Sequence, residues 1–437
     1  MDLYNLVSFI GLFLFLALAW AISENRRSIN YRTVTSGLGI MALFSFFIFL
    51  FPYGPKVFLF LNNVFLVFLN ASGAGAEFLF GPLALPPGAV DVGGAKSLGF
   101  ILAFQVFPVI IFFSAIMSVL YYFGIMQKLI KGFSLIFTRF MRISGAEALV
   151  VASNIFVGIE SAFTVRPYIN NMTRSELCMI LTAGMATVSS SVMGLYVFIL
   201  QGEFPTIAAH LISASLLSAP AAVVISKILV PETGNPETAG LNVEPSYQRE
   251  SGVIEAVIKG SEGGVRMIVG IAALLIAVLG IVKLFDLGTV NIGHYINLLL
   301  NIDIDWSLKS LLGYVFYPFT LMIGIPFDDA LKISGVIGER LVLTEVVSYQ
   351  DLAMLVKEGE ITNKRTIVVT SYALCGFAHF ASMAIFVGGI SALAPKRTSD
   401  IARLGITALI AATIACLITA CVAGIFYTSS FTLFSGG

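Results

Sequence analysis

The sequence predicts an all-α protein that crosses a membrane several times. Hydrophobic residues make up 58% of the 437 positions, whereas charged residues make up only 11%. The mean hydropathy is +0.95. A soluble domain carries about 25% charged residues. Apolar runs of about 20 residues, the length that spans the hydrocarbon layer, recur along the chain. The few Lys and Arg residues leave no basic face for nucleic acid.

About eight apolar runs are long enough to be transmembrane helices. They lie at 4–22, 33–52, 98–124, 175–200, 206–230, 265–286, 366–392 and 400–427. The stretch 53–96 is rich in Gly, Pro and Asn, residues that favour turns, so we predict that it forms an extramembrane loop. The four cysteines fall inside apolar runs without Cys-x-x-Cys spacing and are predicted to be core residues.

The distribution of basic residues predicts an orientation. Lys and Arg cluster at 26–27, 128–142 and 396–397, whereas 201–206 has none. Positive loops face the cytoplasm, so the N-terminus is predicted to lie outside. Within this pattern, 126–142 alternates apolar and basic positions as a cytoplasmic interfacial helix would. An extended end of the third crossing is the alternative. We expect a multi-pass protein of the plasma membrane, the bacterial inner membrane.

Two interrupted apolar segments, 143–171 and 316–348, are predicted to be re-entrant hairpins. Each contains a carboxylate that is costly at bilayer depth, Glu160 in the first and Glu345 near the end of the second. A crossing with a polar middle follows each hairpin, so 98–230 and 265–427 form an inverted repeat. Paired broken segments of this kind indicate the binding site of a transporter. Residues 4–22 and 33–52 lie outside the repeat and are predicted to be peripheral scaffold.

The chain resembles the concentrative nucleoside transporter family from about residue 98 to 425. The matching strings are NIFVG at 154–158 with Glu160, RPY at 166–168, MTRSEL at 172–177, GMATV at 184–188, GIPFDDA at 324–330, GVIG at 335–338, SYALCGFA at 371–378 and LAPKR at 393–397. The resemblance implies an elevator-type transporter that assembles as a homotrimer. It also implies sodium as the coupling ion, held by Asn154, the Val157 carbonyl, Thr187 and the Val188 carbonyl. All four supply oxygen, which hard cations prefer.

The substrate site departs from the family pattern. Where members usually have Gly-Gln-Thr-Glu, a small residue and Pro, this chain has a tip one residue shorter, Gly158 to Ala162. The usual Asn-Glu-Phe of the second hairpin reads Thr344-Glu345-Val346, and the ribose-contacting Asn is replaced by His379. By resemblance, the residues expected to contact substrate are Gly158, Ile159, Glu160, Val192, Thr344, Glu345, His379 and Ser382.

Several of these residues also have plain structural interpretations. Glu160 could pair with Arg166, and His379 could be a core residue or a proton carrier, since imidazole is the side chain that most often exchanges protons in proteins. Asn154 could cap a half-helix. Thr187 could bond back to a carbonyl one turn earlier. His210 and His294 have no polar neighbours in sequence, so we assign them no role.

The predicted function is symport of sodium, or of protons, with a nucleoside or a nucleoside-like polar solute. The alternatives are a symporter of the same fold for another hydroxylated or anionic solute, and a passive channel or receptor. An enzyme is not predicted, because the sequence has no His-Glu-x-x-His motif or other nucleophile and base pair. The predicted regions are 1–125, N-terminal helices and scaffold; 126–142, the interfacial helix; 143–230, the first hairpin and its helices; 231–315, a cytoplasmic loop, a scaffold helix and an outer segment; and 316–428, the second hairpin and its helices.

Overall fold

A computed structural model describes residues 3–90, 94–245 and 250–428. In these ranges the secondary structure is helical apart from turns and one isolated bridge between Val90 and Lys96. The helices are α1 Leu3–Ala21, α2 Tyr31–Ser45, α3 Gly54–Phe80, α4 Leu102–Gln105, α5 Phe107–Tyr122, α6 Ile125–Met141, α7 Gly145–Asn154, α8 Arg174–Ala186, α9 Ser190–Leu200, α10 Ile207–Leu229, α11 Val253–Leu300, α12 Leu308–Met322, α13 Phe327–Leu343, α14 Glu345–Lys357, α15 Lys364–Leu374, α16 Phe380–Leu393 and α17 Thr398–Phe426. A π-helical turn, Phe46–Leu50, extends α2, and short 3-10 segments lie at Arg26–Ser28, Gly81–Leu83, Ile159–Val165, Ile169–Asn171 and Pro395–Arg397.

In the described part of the chain, eight helical segments are long and apolar enough to cross a membrane. One of them, Gly54–Leu83, falls in the predicted extramembrane loop, so the loop prediction is wrong for this stretch. Most of the Gly and Pro residues that suggested a loop lie at or beyond the ends of α3, although Gly73 and Gly75 fall inside it. Pro55 is in the first turn of α3, where it costs no hydrogen bond, and Gly81 ends the helix with φ 53°.

The two crossings with polar middles are broken rather than continuous. The run 175–200 splits into α8 and α9 at Thr187, whose backbone is extended, with φ −113° and ψ 167°. The run 366–392 splits into α15 and α16, and His379 caps the start of α16 in a reciprocal pair of hydrogen bonds with Ser382. The prediction of continuous helices is therefore wrong at both polar stretches.

The first predicted hairpin does return to the side from which it enters. Its first residues contact Thr238, which accepts from the Gly145 amide and receives the Ala146 amide on its hydroxyl. Near its last residues, the Asn171 amide donates to Glu237. Both ends therefore lie against one short segment. The outgoing arm is α7, whereas the return arm consists of 3-10 turns.

The second hairpin lies further along the chain than the predicted 316–348. Its arms are α13 and α14, and Thr344 alone joins them. An ion pair of 3.0 Å between Lys332 and Glu360 links the outer ends of the two arms. Residues 316–322 belong instead to the separate helix α12, because Gly324, with φ 84°, turns the chain before α13.

The order of elements repeats. The first copy runs through α5, α6, the first hairpin, the broken helix α8–α9 and α10, and the second runs through α11, α12, the second hairpin, the broken helix α15–α16 and α17. The copies interlock, because α14 packs on α9 and the Ile159–Val165 segment packs on α16. Helices α10 and α17 pack on each other and form the buried centre.

The N-terminal helices, predicted to be peripheral scaffold, pack on the rest of the molecule by one face and are otherwise largely exposed. Helix α1 packs on α17 and α12, and α2 packs on α10. The buried guanidinium of Arg365 fastens α1 by donating to the Tyr4 carbonyl, the Asn5 amide oxygen and the Ser8 hydroxyl. These contacts join α1 to the start of α15 in the second repeat.

Two helices in the outer part of the molecule also bear on predictions. Helix α6 is separate from α5, because Gly124 between them adopts a left-handed conformation with φ 74°. It is therefore not an extended end of the third crossing, and its interfacial position stays a prediction. Helix α11 contains the predicted crossing 265–286 but runs unbroken for 48 residues, about 72 Å, and most of its apolar surface is exposed.

Candidate functional site

The two helix breaks meet at the centre of the molecule. Gly376 in the second break has φ 152°, and a Cβ atom there would stand 2.8 Å from the Ala186 carbonyl oxygen at the end of α8. The first hairpin joins the same point, since the Ser190 amide donates to the Phe156 carbonyl at 2.9 Å. Half-helix ends and a hairpin tip are thus brought together, which provides polar backbone groups inside an apolar protein.

Glu345 begins α14 directly after the hairpin tip and is 3% exposed. The Tyr196 hydroxyl donates to its Oε1 at 2.6 Å. Its Oε2 lies 2.8 Å from Nε2 of His379. The Tyr196 ring also stacks on Tyr349, with centroids 4.6 Å apart. Oε1 is therefore hydrogen-bonded and Oε2 lies beside the imidazole, so each broken helix brings one group to the carboxylate.

The hydrogen bonds of His379 determine which nitrogen carries its proton. Nδ1 accepts from the Ser382 amide at 3.1 Å, so it is unprotonated. A neutral imidazole then carries its proton on Nε2, the nitrogen that lies 2.8 Å from Oε2 of Glu345. The Ser382 hydroxyl donates to the His379 carbonyl at 2.8 Å. The imidazole is thus a fixed donor whose orientation is set by the start of α16.

A cavity of about 500 Å³ brings together most of the predicted substrate residues. Its lining includes Gly158, Glu160, Val192, Thr344, Glu345, His379 and Ser382. Ile159 begins a 3-10 turn beside this cavity, and its side chain lies outside the described part of the structure. The remaining walls come from α11 and from Phe377, Ile385 and Phe386.

Glu160 stands where this cavity adjoins a second one of about 350 Å³. The carboxylate side chain is exposed to the two cavities, unlike the buried Glu345. Among the ion pairs of the described residues, none joins Glu160 to Arg166. The second cavity continues along α11 toward Lys259 and Glu250. Glu160 is therefore placed on a path between the central site and one end of the molecule.

The predicted cation ligands lie at the contact between the first hairpin and the first helix break. Asn154 is fully buried at the end of α7, and it bonds to Ser161 rather than capping a helix. The Thr187 hydroxyl donates to the Ala183 carbonyl at 2.9 Å, which leaves its lone pairs available. Within the described residues, the Val157 and Val188 carbonyls receive no hydrogen bond. These neutral oxygens fit a hard monovalent cation.

Sequence reasoning missed three residues of the site. Tyr196 lies one turn after Val192 on α9, which is a usable signal once α9 is known to line the cavity. Arg266 on α11 is a charged residue inside the predicted crossing 265–286, and it lines the central cavity. An intramembrane cation of this kind is a functional signal that the sequence displayed. Ser161 gave no signal, because its partner Asn154 lies seven positions away across a turn.

Comparisons with known proteins agree with this geometry. The family profile described as "Na+ dependent nucleoside transporter C-terminus" matches residues 210–424, and its N-terminal counterpart matches residues 10–83. A profile described as "Nucleoside recognition" matches residues 103–203.

Relatives of known sequence include "Solute carrier family 28 member 3" of Eptatretus stoutii, which is 35% identical over 97% of this chain. The chain spans about three fifths of that relative, 61% of its length. An "Uncharacterized transporter" of Haemophilus influenzae is also 35% identical, over 96% of this chain and 97% of its own length.

Solved structures of one further protein, CNTnw, match over nearly the whole chain. In an inward-facing substrate-bound state it is 32% identical, with a TM-score of 0.86, and 100% of this chain and 99% of that chain are covered. A variant in an outward-facing state gives the same TM-score over 97% and 98% of the two chains. The predicted fold class, an all-α membrane transporter of the elevator type with an inverted repeat, is confirmed.

Proposed function

Because the chain belongs to the Na⁺-dependent nucleoside transporter family, we propose that it carries nucleosides across the membrane by symport with sodium. The observation that supports this proposal best is the central cavity, where Glu345 from one hairpin and Glu160 from the other share one space. A transporter with two accessible faces needs such a site between repeats. The family consists of transporters, in agreement with the prediction that the chain is not an enzyme.

In this proposal Glu345 binds hydroxyl groups of the substrate. Tyr196 and His379 hold the carboxylate in place, so that a substrate meets an oriented acceptor rather than a mobile one. Glu160 supplies a second acceptor at the mouth of the site. Asn154, Thr187 and the Val157 and Val188 carbonyls bind sodium beside it.

Sodium is supported over a proton as the coupling ion. A second proton on His379 would occupy Nδ1, which accepts from the Ser382 amide, and would cost α16 its N-terminal cap. The loss of such a cap costs about 1 kcal/mol. The cation ligands, in contrast, are neutral oxygens that need no proton exchange.

The decisive experiment measures uptake of labelled nucleosides into proteoliposomes. We expect accumulation above the external concentration with a sodium gradient and none with a pH gradient alone. A passive channel or a receptor could not accumulate solute. The variant Glu345→Gln should lose most uptake, whereas Glu203→Gln, which changes an exposed carboxylate outside the central cavity, should retain it. Unchanged uptake by Glu345→Gln would refute the role of that carboxylate.

A second candidate is symport of a different, anionic solute with hydroxyl groups. Arg266 favours it, because this residue lines the same cavity as the two carboxylates and its guanidinium could bind a negative substrate group. A thermal-shift screen of nucleosides, nucleobases, sugars and their acidic derivatives separates the candidates. If the substrate is anionic, Arg266→Gln should abolish its stabilising effect; if it is a neutral nucleoside, the change should be small.

We further propose that three chains assemble and that the assembly lies in the plasma membrane. The exposed apolar surface of α11 supports both, since it must be covered by lipid or by neighbouring chains. Native mass spectrometry of the detergent-solubilised protein should then give three times the 46.9-kDa chain mass.

A further inference from the structure

The amide of Asn154 is only half satisfied, although the side chain is fully buried. In the structure its Oδ1 accepts a hydrogen bond from the Ser161 hydroxyl at 3.0 Å. The other amide atom, Nδ2, has no hydrogen-bond partner among the described residues. A buried donor without a partner costs about 1–3 kcal/mol, so this arrangement calls for a physical reason.

Ser161 is the buried partner of this amide. It is 1% exposed and lies in the 3-10 segment that follows the shortened hairpin tip. Its backbone amide donates to the Gly158 carbonyl at 3.0 Å, which fixes the residue beneath the tip. Its hydroxyl contacts Asn154 and no other side chain among the described residues. A serine hydroxyl both donates and accepts, so it can serve either end of the amide.

The backbone carbonyls next to Asn154 differ in whether they accept hydrogen bonds. Around the turn after α7, the Ile155 carbonyl accepts from Ser215 and the Phe156 carbonyl from Ser190, whereas the Val157 carbonyl receives no bond within the described chain. If the amide is rotated by half a turn, Nδ2 donates to Ser161 and is satisfied. The oxygen then takes the place of the unpaired nitrogen, where it can bind a cation instead of repelling it.

We infer that Ser161 is a positioning residue that orients the amide of Asn154 so that its oxygen binds sodium. The inference rests on the proposed sodium symport. It adds that Ser161, which follows the shortened tip of this chain, sets the orientation of the Asn154 amide. Ser161 does not touch the ion in this arrangement. Without this hydroxyl, the orientation with the oxygen on the cation leaves Nδ2 buried and unpaired, and sodium affinity falls because a buried unpaired N–H costs more than an unpaired carbonyl oxygen.

The test measures sodium binding directly, by the midpoint of thermal unfolding of the purified full-length protein. Sodium chloride replaces choline chloride at constant ionic strength. We expect Ser161→Ala to raise the half-saturating sodium concentration about fivefold, as the loss of one hydrogen bond would. Ser161→Thr, which keeps the hydroxyl, should restore binding. Thr164→Val is the matched control, because its hydroxyl donates to the Ser161 carbonyl in the same segment without contacting Asn154.

A second background separates orientation from other effects. In Asn154→Asp both side-chain oxygens are equivalent, so no orienting partner is needed, and adding Ser161→Ala should change half-saturation less than about twofold. An equal fivefold effect in both backgrounds would overturn the orienting role. Unchanged binding in Ser161→Ala, with a wild type that responds to sodium, would overturn the inference alone. A wild type without any sodium response would overturn the proposed function and this inference together.

Discussion

At the scale of single residues, one carboxylate is held by two groups that arrive from different repeats. Tyr196 comes from the first broken helix and His379 from the second, and each takes one oxygen of Glu345. A charged hydrogen bond of this kind contributes about 1.5–3 kcal/mol when it is buried. The site thus requires that both broken helices be aligned with the start of α14, where Glu345 lies.

Tyr196→Phe should weaken substrate binding about fivefold, because it removes one hydrogen bond to Glu345 but keeps the ring. Isothermal titration with the true substrate measures the change. Tyr349→Phe is the control. It removes a hydroxyl from the stacked partner ring, but that hydroxyl donates to the Ser371 carbonyl outside the cavity. Equal losses in the two variants would show that stacking, rather than the hydrogen bond, matters.

Most predicted site residues could be found from the sequence because they lie in strings that the family shares. The structure places Gly158, Glu160, Val192, Thr344, Glu345, His379 and Ser382 around one cavity. Their roles stay predictions. Tyr196 and Ser161 escaped detection because their partners come from distant elements or lie across a turn, and local periodicity carries no information about such contacts. Arg266 was visible as a charge in an apolar run but had no expected partner.

At the scale of elements, the polar stretches of two crossings became helix breaks. Both polar stretches and the first hairpin lie where the sequence predicts them, whereas the second hairpin lies later than the predicted 316–348. Hydropathy averages over a window and cannot distinguish a continuous helix from two half-helices. The loop prediction for 53–96 failed for a related reason, since Gly and Pro near helix ends resemble those of loops. The breaks instead require close backbone approach, above all at Gly376.

Gly376→Ala should destabilise the protein by more than about 2 kcal/mol, because the new methyl group would meet the Ala186 carbonyl and Cys416 at a positive φ. The unfolding midpoint in detergent measures the effect. Gly388→Ala is the matched control. It lies in α16 with open space around it, and alanine favours helix by about 1 kcal/mol over glycine. A stable Gly376→Ala protein would contradict the proposed close packing of the two breaks.

At the scale of the whole molecule, the N-terminal helix is fastened to the core by one face. Arg365→Ala should lower the free energy of unfolding by more than about 2 kcal/mol, because it removes the donor to the Gly324 carbonyl and to the buried Asn5 amide oxygen. Thermal unfolding in detergent provides the measurement. Arg174→Ala serves as the comparison, since its ion pair with Glu24 is half-exposed and contributes at most about 1 kcal/mol. Similar losses in both would argue against a special role for the buried arginine.

The orientation of the molecule in the membrane can be tested by cysteine labelling. Basic loops meet at one end, where Arg174 contacts Glu24 and Arg397 donates to the Met172 carbonyl. The positive-inside rule assigns this end to the cytoplasm and the N-terminus to the outside. In intact cells an impermeant maleimide should therefore label Asp303→Cys but not Arg27→Cys. The four native cysteines are buried and give a low background. The reverse labelling pattern would invert the proposed topology.

The single residue that joins α13 to α14 has a mechanical consequence. Thr344 reverses the chain at φ 107°, a conformation that is strained for a β-branched residue, and no loop separates the two arms. We therefore expect the second hairpin to move as a rigid unit about its outer ends rather than to bend at its tip. The first hairpin returns through short 3-10 turns, whose hydrogen bonds rearrange more easily. The hairpins of the two repeats match in element order but differ in stiffness, and a gate built from them would open first on the side of Glu160.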